Sequence, residues 1–370
     1  MKKMKILLIG MTTNIGGIET LLYNIATNLD KTKFEIYFLD MTAKKIAFYN
    51  ELVEKNIEVI KVTSRRENFL KHVIDLKQVF KNYKFDVIHF NIMDFSLFEP
   101  LYLANKYSKA QLILHSHNGG GSNRVSLKYK VLNTIGRTVV KKINYERIAC
   151  GEQAGNWMFG NKPFTILNNA IDIEKFSFSQ SYRNEIRNEL DIDEKCYVIG
   201  QVAKLEEQKN PLFLLEIFNE YQKNNPNSKL LIVGEGNLLN EVKKRADDYK
   251  IGDKVLLVGK KMDAFKYYSA FDILVMPSIY EGLSITMVEA QVNGLKCITS
   301  DNVDKNSNLT GNVKFISLEK TANEWSEEIV QLEKIRDDKI IDKIPREYKS
   351  SYLYEKLEGI YQNLSMLGEC

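Results

Sequence analysis

Two glutamates, Glu281 and Glu289, lie eight residues apart behind a short apolar run that ends at Met276. The run predicts a buried strand, and the Gly282 turn after it predicts the start of a helix. Backbone N–H groups at a helix start lack partners within the helix and favour an anion such as a diphosphate. Because this spacing covers about two helical turns, the two carboxylates can reach groups on opposite sides of that anion. The layout predicts binding of a nucleotide sugar, whose hydroxyls flank a diphosphate.

The run from Ser278 to Ala290 resembles the Glu-x7-Glu signature of the retaining glycosyltransferases of GT-B family 4. The alternative is a pair of solvated acids near a helix start. The resemblance implies that Glu281 is catalytic and holds hydroxyls of the donor sugar, and that Glu289 holds the ribose. It also implies that the donor diphosphate meets the backbone of three residues, Gly282, Leu283 and Ser284.

A second glycine loop, residues 10–20, separates the first apolar run from the first helical pattern. Its spacing differs from the dinucleotide-binding pattern G-x-G-x-x-G, and no acidic residue is placed to bind a ribose. The loop resembles the Gly-Gly loop of the same family, which lies over the donor diphosphate and near the acceptor. The resemblance therefore implies donor contacts from Gly16 and Gly17 and an acceptor-side contact from Asn14. The alternative is a plain strand–helix turn.

Two of the four histidines, His115 and His117, follow the fifth apolar run. A metal site would need more ligands than the neighbouring residues offer. In the resembled family a histidine at this strand end reaches the donor sugar, and His117, followed by Asn118, fits that pattern better than His115. The resemblance implies a catalytic contact from His117 and secondary, acceptor-side roles for His115 and Asn118. The alternatives are that His115 is the histidine that meets the sugar, or that neither histidine does.

Two lysines, Lys204 and Lys209, stand five residues apart where an apolar run gives way to a helical pattern. Two cations at such an edge suit a diphosphate. The family has Gly-Arg-Leu followed by a lysine here, whereas this chain has Ala203 and Lys204 in place of the glycine and arginine. Lysine keeps the charge without bidentate geometry. The resemblance implies that Lys209 is catalytic and donor-binding and that Lys204 is donor-binding; the alternative is two solvated lysines.

Two further glycine turns of the second half resemble positions that line the nucleotide pocket of the family. The first turn contains Gly234, Glu235 and Gly236. The second contains Lys260, which the resemblance places near the base. All four residues are therefore expected to contact the donor.

A motif of the other major glycosyltransferase fold, Asp-x-Asp, is present as Asp191-Ile192-Asp193. In that other fold the motif binds a metal and a nucleotide. Here it lies in a polar segment before a strand, a position that predicts a turn. The GT-B resemblance implies chemistry without a metal and without any other cofactor.

The composition is globular, with 44% hydrophobic and 27% charged residues and a formal net charge of +4. This balance argues against a nucleic-acid-binding protein. None of the four cysteines forms a Cys-x-x-Cys pair, which favours a reducing, cytoplasmic compartment. No apolar stretch approaches the roughly 20 residues that a membrane span needs.

Short apolar runs alternate with helical patterns in two successive series along the 370 residues. Buried parallel strands read as continuous apolar runs, and their alternation with helices predicts βα units. We predict an α/β chain of two Rossmann-like, doubly wound parallel-sheet domains facing across a cleft. The expected parts are an acceptor-binding domain at 1–168, a linker at 169–195, a nucleotide-sugar-binding domain at 196–345, and a helix at 346–370. The resemblance implies that this last helix crosses back to the first domain.

Two basic stretches, residues 61–84 and 124–147, lie in the first half of the chain. In the first stretch, apolar side chains recur at helical spacing among lysines and arginines. A basic amphipathic helix can lie on an anionic membrane surface. The alternative is a helix that packs on its sheet and exposes a solvated lysine face.

Together these features predict a retaining hexosyltransferase that uses a nucleoside diphosphate sugar, expected to be UDP-linked. Segments 12–20, 115–118, 157–160 and 206–210 resemble bacterial enzymes of exopolysaccharide and capsule assembly. That likeness implies a saccharide acceptor on a lipid diphosphate, a cytoplasmic location extending to the inner face of the plasma membrane, and no nucleic-acid partner. The alternatives are a UDP-sugar 2-epimerase of the same fold and a catalytically inactive, nucleotide-sugar-binding partner subunit.

Overall fold

A computed structural model describes residues 2–117, 127–332, 336–337 and 340–367. The chain forms two compact units. One contains the described residues up to Ala170 together with those from Ser351 onward, and the other runs from Ile171 to Ser350. Each unit is built around its own parallel sheet.

The first sheet has seven strands in the order β3-β2-β1-β4-β5-β6-β7, all parallel. The register sets Ile6 of β1 opposite Ile36 on β2 and Val87 on β4. The strand order changes direction between β1 and β4, and ligands of such sheets bind at the carboxyl ends of the strands beside that point. The strands are β1 Met4–Ile9, β2 Phe34–Asp40, β3 Glu58–Lys61, β4 Val87–Ile92, β5 Gln111–Ser116, β6 Glu146–Ala149 and β7 Thr165–Ile166.

The second sheet has six parallel strands in the order β10-β9-β8-β11-β12-β13. Its direction changes between β8 and β11, where Ile199 lies opposite Ile273. The predicted fold class, two Rossmann-like doubly wound parallel sheets, is confirmed. The strands are β8 Tyr197–Val202, β9 Ser228–Val233, β10 Val255–Leu257, β11 Ile273–Met276, β12 Lys296–Ser300 and β13 Val313–Ile316.

Helices cover both faces of each sheet. The longer ones carry an apolar stripe against a sheet, as α3 does through Leu76, Val79 and Phe80. No helix of the described ranges is both long and apolar enough to cross a bilayer. The helices are α1 Gly17–Asn28, α2 Tyr49–Glu54, α3 Phe69–Asn82, α4 Glu99–Tyr107, α5 Leu127–Val140, α6 Glu152–Phe159, α7 Ile173–Phe176, α8 Gln180–Glu189, α9 Pro211–Asn224, α10 Leu239–Asp248, α11 Ala264–Ala270, α12 Ile285–Val292, α13 Ala322–Gln331 and α14 Ser350–Leu367.

The last helix, α14, packs within the first unit, although it follows the second unit in sequence. Its buried side chains Leu353, Leu357 and Tyr361 join the core on the face of the first sheet that α1 and α2 cover. Helices α3 to α6 cover the opposite face. The first unit is thus closed on both faces, with α14 as part of one layer.

The predicted linker, residues 169–195, is wrong as a description of most of that segment. It contains α7 and α8, which pack on the second unit. Arg183 and Arg187 of α8 each donate to a carboxylate oxygen of Asp272 at 2.7 Å, and Arg187 also donates to the Ala270 carbonyl at 3.1 Å. The polar composition that suggested a linker instead supplies the ion pairs that attach α8.

Candidate active site

The loops after β8 and β11 meet at the point where the second sheet changes direction. The backbone N–H of Ile279 donates to the Gln208 carbonyl at 2.8 Å. In return, the Gln208 side-chain amide donates to the Tyr280 carbonyl at 3.0 Å. These two bonds bring Lys209 and Glu281, which are far apart in sequence, to one place.

Lys209 and Glu281 form an ion pair in that place, with Nζ 2.8 Å from Oε1. The Ser278 hydroxyl donates to the same carboxylate oxygen at 2.5 Å. The Lys209 side chain is 21% exposed and that of Glu281 is 8% exposed, so solvent reaches the ammonium more readily than the carboxylate. Since an ammonium has three N–H donors, Lys209 can hold Glu281 and still bind an anion.

Helix α12 begins directly after this pair, with Ser284 as the residue before its first turn. The backbone N–H of Ser284 already donates to the Ser307 hydroxyl at 2.9 Å. The Ser284 N–H, which was predicted to bind the diphosphate, therefore already has an acceptor in this structure. The Ser284 hydroxyl is buried and has no hydrogen-bond partner among the described residues. Gly282 and Leu283 lie in the same turn, where their N–H groups stay candidates for the anion.

Glu289 lies further along α12 and accepts a hydrogen bond from the Tyr268 hydroxyl at 2.5 Å. Burial raises the pKa of Glu289 to about 7, and the Tyr268 bond and the Lys175 charge oppose that rise. A carboxylate with this pKa changes its charge near neutral pH. Sequence reasoning identified Glu289 but not its Tyr268 partner, which lies on α11.

The glycines of the 234–236 turn have a structural reason to be glycine. Gly234 has a φ of +147°, and a Cβ there would lie 1.8 Å from the Ala203 carbonyl oxygen. A Cβ on Gly236 would lie 2.2 Å from the Leu205 carbonyl oxygen. Both glycines let this turn pack against the loop after β8, where the predicted donor-binding lysines lie. The side chains of Lys204, Glu235 and Lys260 are exposed.

The predicted residues of the first unit lie near the change of direction between β1 and β4. Gly10 ends β1 with a φ of +129°, and a Cβ there would lie 2.2 Å from the Asn91 carbonyl oxygen. Asn91 in turn contacts His117, whose Nε2 lies 2.9 Å from Asn91 Oδ1. Sequence reasoning missed Asn91, although its position at the end of β4 could have pointed to it.

Three histidines stack in a column in this unit, with His89 and His115 buried and His117 half-buried. The rings of His115 and His117 have centroids 4.1 Å apart, and those of His89 and His115 are 5.4 Å apart. His89 Nδ1 lies 2.8 Å from the hydroxyl of Tyr361 on α14. Burial lowers the pKa of His117 and that of His89 to about 3, and it lowers the pKa of His115 well below its usual value. All three rings are therefore neutral at physiological pH.

The contacts of Asn91 define the tautomer of His117. The Asn91 amide nitrogen donates to the carbonyls of Ile9 at 3.3 Å and His89 at 3.4 Å, so its oxygen faces His117. His117 Nε2 must therefore carry the proton. His117 Nδ1, which is buried without a partner among the described residues, is then an unprotonated acceptor.

Asn91→Asp tests this contact. A carboxylate beside Nε2 favours the imidazolium, so the pKa of His117 should rise by about 1–3 units. The chain has only four histidines, so NMR titration of ¹⁵N-histidine-labelled protein can follow each one. The resonances of His72, whose Nδ1 lies 2.7 Å from the Thr63 carbonyl, serve as the check that the variant keeps its fold. An unchanged His117 titration would contradict the assigned contact.

The glycine loop of the first unit is tied down by a buried acid. Glu19 accepts hydrogen bonds from the Thr12 hydroxyl at 2.6 Å and the Thr12 N–H at 3.2 Å. Gly16 precedes α1, and a Cβ there would lie 2.9 Å from Glu19 Oε2. A Cβ on Gly17 would meet nothing within 4 Å, so no contact within the described chain requires glycine there. Asn14 is exposed on this loop, and the predicted contact from Asn118 falls outside the described residues.

The Asp-x-Asp sequence lies in the turn between α8 and β8, as predicted. Asp191 has a left-handed φ of +50°, a conformation that aspartate tolerates well. The Asp193 carboxylate accepts from the Lys195 N–H at 2.8 Å. Both residues have local structural roles here.

The sequence comparisons agree with this architecture. Residues 182–347 match the family model described as glycosyl transferases group 1. EpsF of Bacillus subtilis (strain 168), named as a glycosyltransferase, is 29% identical over 326 residues, which cover 86% of this chain and 85% of EpsF. The UDP-Gal:alpha-D-GlcNAc-diphosphoundecaprenol alpha-1,3-galactosyltransferase of Escherichia coli is 26% identical over 308 residues, covering 80% of this chain and 76% of the enzyme.

Solved structures share the fold along almost the whole chain. Anabaena HepE in complex with UDP gives a TM-score of 0.77 at 17% identity, covering 97% of this chain and 100% of HepE. A glycosyltransferase from Rickettsia africae ESF-5 gives a TM-score of 0.76 at 16% identity, covering 98% and 99%. Identities this low establish the fold alone. The chain thus has the GT-B fold, and its residues 182–347 match the family model of glycosyl transferases group 1.

Proposed function

We propose that this protein is a retaining, metal-independent glycosyltransferase that moves a sugar from a UDP-sugar to a saccharide on a lipid diphosphate. The observation that carries the proposal is the Lys209–Glu281 pair beside the start of α12, at the direction change of the second sheet. Two comparisons support the proposed donor and the proposed acceptor. HepE is solved with UDP, and the Escherichia coli relative is named for a UDP-sugar donor and a diphosphoundecaprenol-linked acceptor. We place this activity in the cytoplasm, in cell-surface polysaccharide assembly.

In the proposed reaction, the bond between the sugar's anomeric carbon and the diphosphate oxygen breaks. A bond to the acceptor hydroxyl oxygen forms on the same face of the sugar, so the anomeric configuration is retained. The hydroxyl proton passes to an oxygen of the departing diphosphate, and the products are the lengthened acceptor and UDP. Negative charge grows on the leaving diphosphate, so the protein accelerates the reaction by stabilising that charge.

The described residues can supply this stabilisation. Lys209 offers an ammonium held in place by Glu281, and exposed Lys204 adds a second positive charge on the same loop. The N–H groups of Gly282 and Leu283, which precede α12, would donate to the diphosphate near the start of that helix. Glu281, which Ser278 holds through one carboxylate oxygen, would accept hydrogen bonds from hydroxyls of the sugar. In the first unit, His117 carries a neutral, unprotonated Nδ1, which is proposed to accept a hydrogen bond from a saccharide hydroxyl.

Glu289 gives donor binding a pH dependence. The ribose hydroxyls would donate to the Glu289 carboxylate, and protonation removes that acceptor. Because the pKa of Glu289 is about 7, UDP should bind more tightly as the pH rises from 6 to 8. If only the ionised form binds the ribose, the change is about tenfold.

Isothermal titration of UDP at several pH values measures this change. Glu289→Gln is the matched control because it cannot titrate. UDP's own phosphate titration is common to both proteins, so the ratio of their affinities isolates Glu289. A ratio that stays constant from pH 6 to pH 8 would rule out this role.

Two alternatives predict different products. A UDP-sugar 2-epimerase converts one UDP-sugar into another without an acceptor, and neither curated relative reported above carries that name. An inactive partner subunit would bind UDP but release none from a UDP-sugar. The Lys209–Glu281 pair, complete in this chain, favours an active enzyme over such a subunit.

Acceptor-dependent release of UDP tests the proposal. A thermal-shift panel of nucleotide sugars first identifies the donor, since a bound ligand raises the melting temperature by mass action. The selected donor is then incubated with and without saccharide-diphosphate-lipid acceptors, and UDP is quantified. We expect UDP only when an acceptor is present, together with an α-linked product from an α-linked donor. Conversion of the donor to its epimer without acceptor would overturn the proposal.

A further inference from the structure

One outer surface of the first unit exposes several large apolar side chains. Leu70 is 75% exposed, and Ile74 and Leu97 are each 54% exposed. They belong to a set of eight exposed apolar residues on α3, α4, α5 and the loop between β4 and α4. We call this set the apolar face. Its members are Phe69, Leu70, Ile74, Met93, Leu97, Tyr102, Val131 and Ile135. Single exposed apolar residues are ordinary, but a group on neighbouring elements marks an interaction surface.

Specific contacts hold these elements side by side. Arg65, just before α3, pairs with Glu99 of α4 at 2.9 Å and donates to the Ser96 carbonyl at 3.1 Å. On the other flank, the Phe95 N–H donates to the side chain of Asn133 on α5 at 2.9 Å. The loop that carries Met93 and Leu97 is thus fixed to both neighbouring helices, so the apolar face is a structured surface.

The surroundings of the apolar face are strongly basic. Segments 64–82, 92–110 and 127–145 together contain twelve lysines and arginines but only four acidic residues. All four acids are engaged: Glu67 with the Ser64 N–H, Glu99 with Arg65, Asp75 with the Thr63 N–H, and Asp94 with the Tyr129 hydroxyl. Three lysines, Lys77, Lys81 and Lys106, gather within 5.2–5.5 Å of the Tyr107 ring centroid.

We propose that the apolar face docks on an anionic lipid bilayer. Apolar side chains enter the boundary between headgroups and acyl chains, while the surrounding lysines and arginines meet lipid phosphates. The excess of positive charge selects an anionic membrane over a neutral one. This inference rests on the proposed function, because a lipid-linked acceptor is presented at such a surface. Phe69, Met93 and Leu97 lie at the same edge of the first sheet as His117, beyond the carboxyl ends of its strands.

Vesicle flotation with the full chain tests the docking surface. Vesicles of phosphatidylcholine alone and of phosphatidylcholine with about 30% phosphatidylglycerol, an anionic lipid, serve as probes. We expect binding to the anionic vesicles that weakens when the salt concentration rises. The double variant Lys77→Gln with Lys81→Gln should weaken vesicle binding about 30-fold. This follows because each lysine near the membrane surface contributes about 1 kcal/mol to the binding free energy. Leu70→Ser with Ile74→Ser should weaken it at least tenfold through lost apolar burial.

Matched double variants away from the apolar face serve as controls. Lys243→Gln with Lys244→Gln removes two exposed lysines of α10, and Val53→Ser with Val330→Ser removes two exposed apolar side chains. Neither control should change vesicle binding. Equal binding by all four variants, or no binding to anionic vesicles at low salt, would overturn the docking surface. Self-association through the apolar face without vesicle binding would also overturn it.

The vesicle-binding test and the test of sugar transfer can fail independently of each other. Transfer to a water-soluble saccharide acceptor does not require a membrane, so the surface variants should keep that activity. Loss of vesicle binding with activity intact supports the docking surface. Vesicle binding by a protein that transfers no sugar would instead refute the proposed function and leave the surface in place.

Discussion

Glu281→Ala should reduce sugar transfer by about 100-fold to 1,000-fold in kcat while the protein stays folded. The size of the effect follows from losing one preorganised polar partner of the transition state. Glu281 also holds Lys209 at 2.8 Å, so its removal disturbs the ammonium that we propose meets the leaving diphosphate. The fold should survive because the freed Lys209 side chain, at 21% exposure, already reaches solvent.

The measurement is acceptor-dependent UDP release under saturating donor, with melting temperature as the check on folding. Glu206→Ala is the matched control because this exposed glutamate lies on the same loop as Lys209. The control should retain wild-type turnover. Near-native kcat in Glu281→Ala would show that Glu281 has no part in the reaction.

Lys209→Met should lower kcat by at least about 100-fold, corresponding to about 3 kcal/mol of lost transition-state stabilisation. Methionine keeps most of the side-chain length but supplies no charge for the departing diphosphate. Affinity for the intact donor should fall less than kcat, because charge on the diphosphate grows as the bond breaks. Lys209→Arg should restore part of the rate, since it keeps the positive charge.

A double-mutant cycle shows whether Lys209 and Glu281 act as one unit. If they do, Lys209→Met with Glu281→Gln should be about as slow as the slower single variant, a coupling of about 1–3 kcal/mol. The exposed pair Lys223 and Glu220 on α9, whose Nζ and Oε2 are 2.6 Å apart, is the matched control and should leave kcat unchanged. Additive losses at Lys209 and Glu281 would mean that their ion pair has no catalytic importance.

The parts of the fold and site that follow from local sequence could be predicted. Continuous apolar runs gave the central strands of both sheets, and loops that leave those strands necessarily gather at their carboxyl ends. For this reason Lys209 and Glu281 could be assigned to one site from the sequence. The loops that carry them are far apart in the chain, since the hydrogen bond that joins these loops links Gln208 to Tyr280, 72 positions later. Strand β13, Val313–Ile316, leaves no continuous apolar run because Lys314 interrupts it, so the sequence did not predict this strand.

The remaining features depend on contacts between distant segments. The tautomer of His117 depends on Asn91 in another strand, and the pKa of Glu289 depends on burial beside Tyr268. The Ser284 N–H is taken by Ser307, which lies 23 positions later. None of these pairings leaves a local pattern, because each joins segments whose relative placement only the complete fold determines.

The segment between the two series of strands shows the same limit. Its many charged residues indicated a solvated linker, yet Arg187 is buried and donates to Asp272 and to several backbone carbonyls. A buried arginine requires such partners, and its type alone does not reveal them. Composition therefore identified the segment as polar without showing that it packs as part of the second unit.

A crystal structure of this protein with UDP tests the central claim most directly. The diphosphate should lie within hydrogen-bond distance of Lys209 Nζ and of the N–H groups of Gly282 and Leu283, with the ribose hydroxyls donating to Glu289. A diphosphate bound elsewhere on the second unit, with the Lys209–Glu281 pair left free of ligand, would contradict the account.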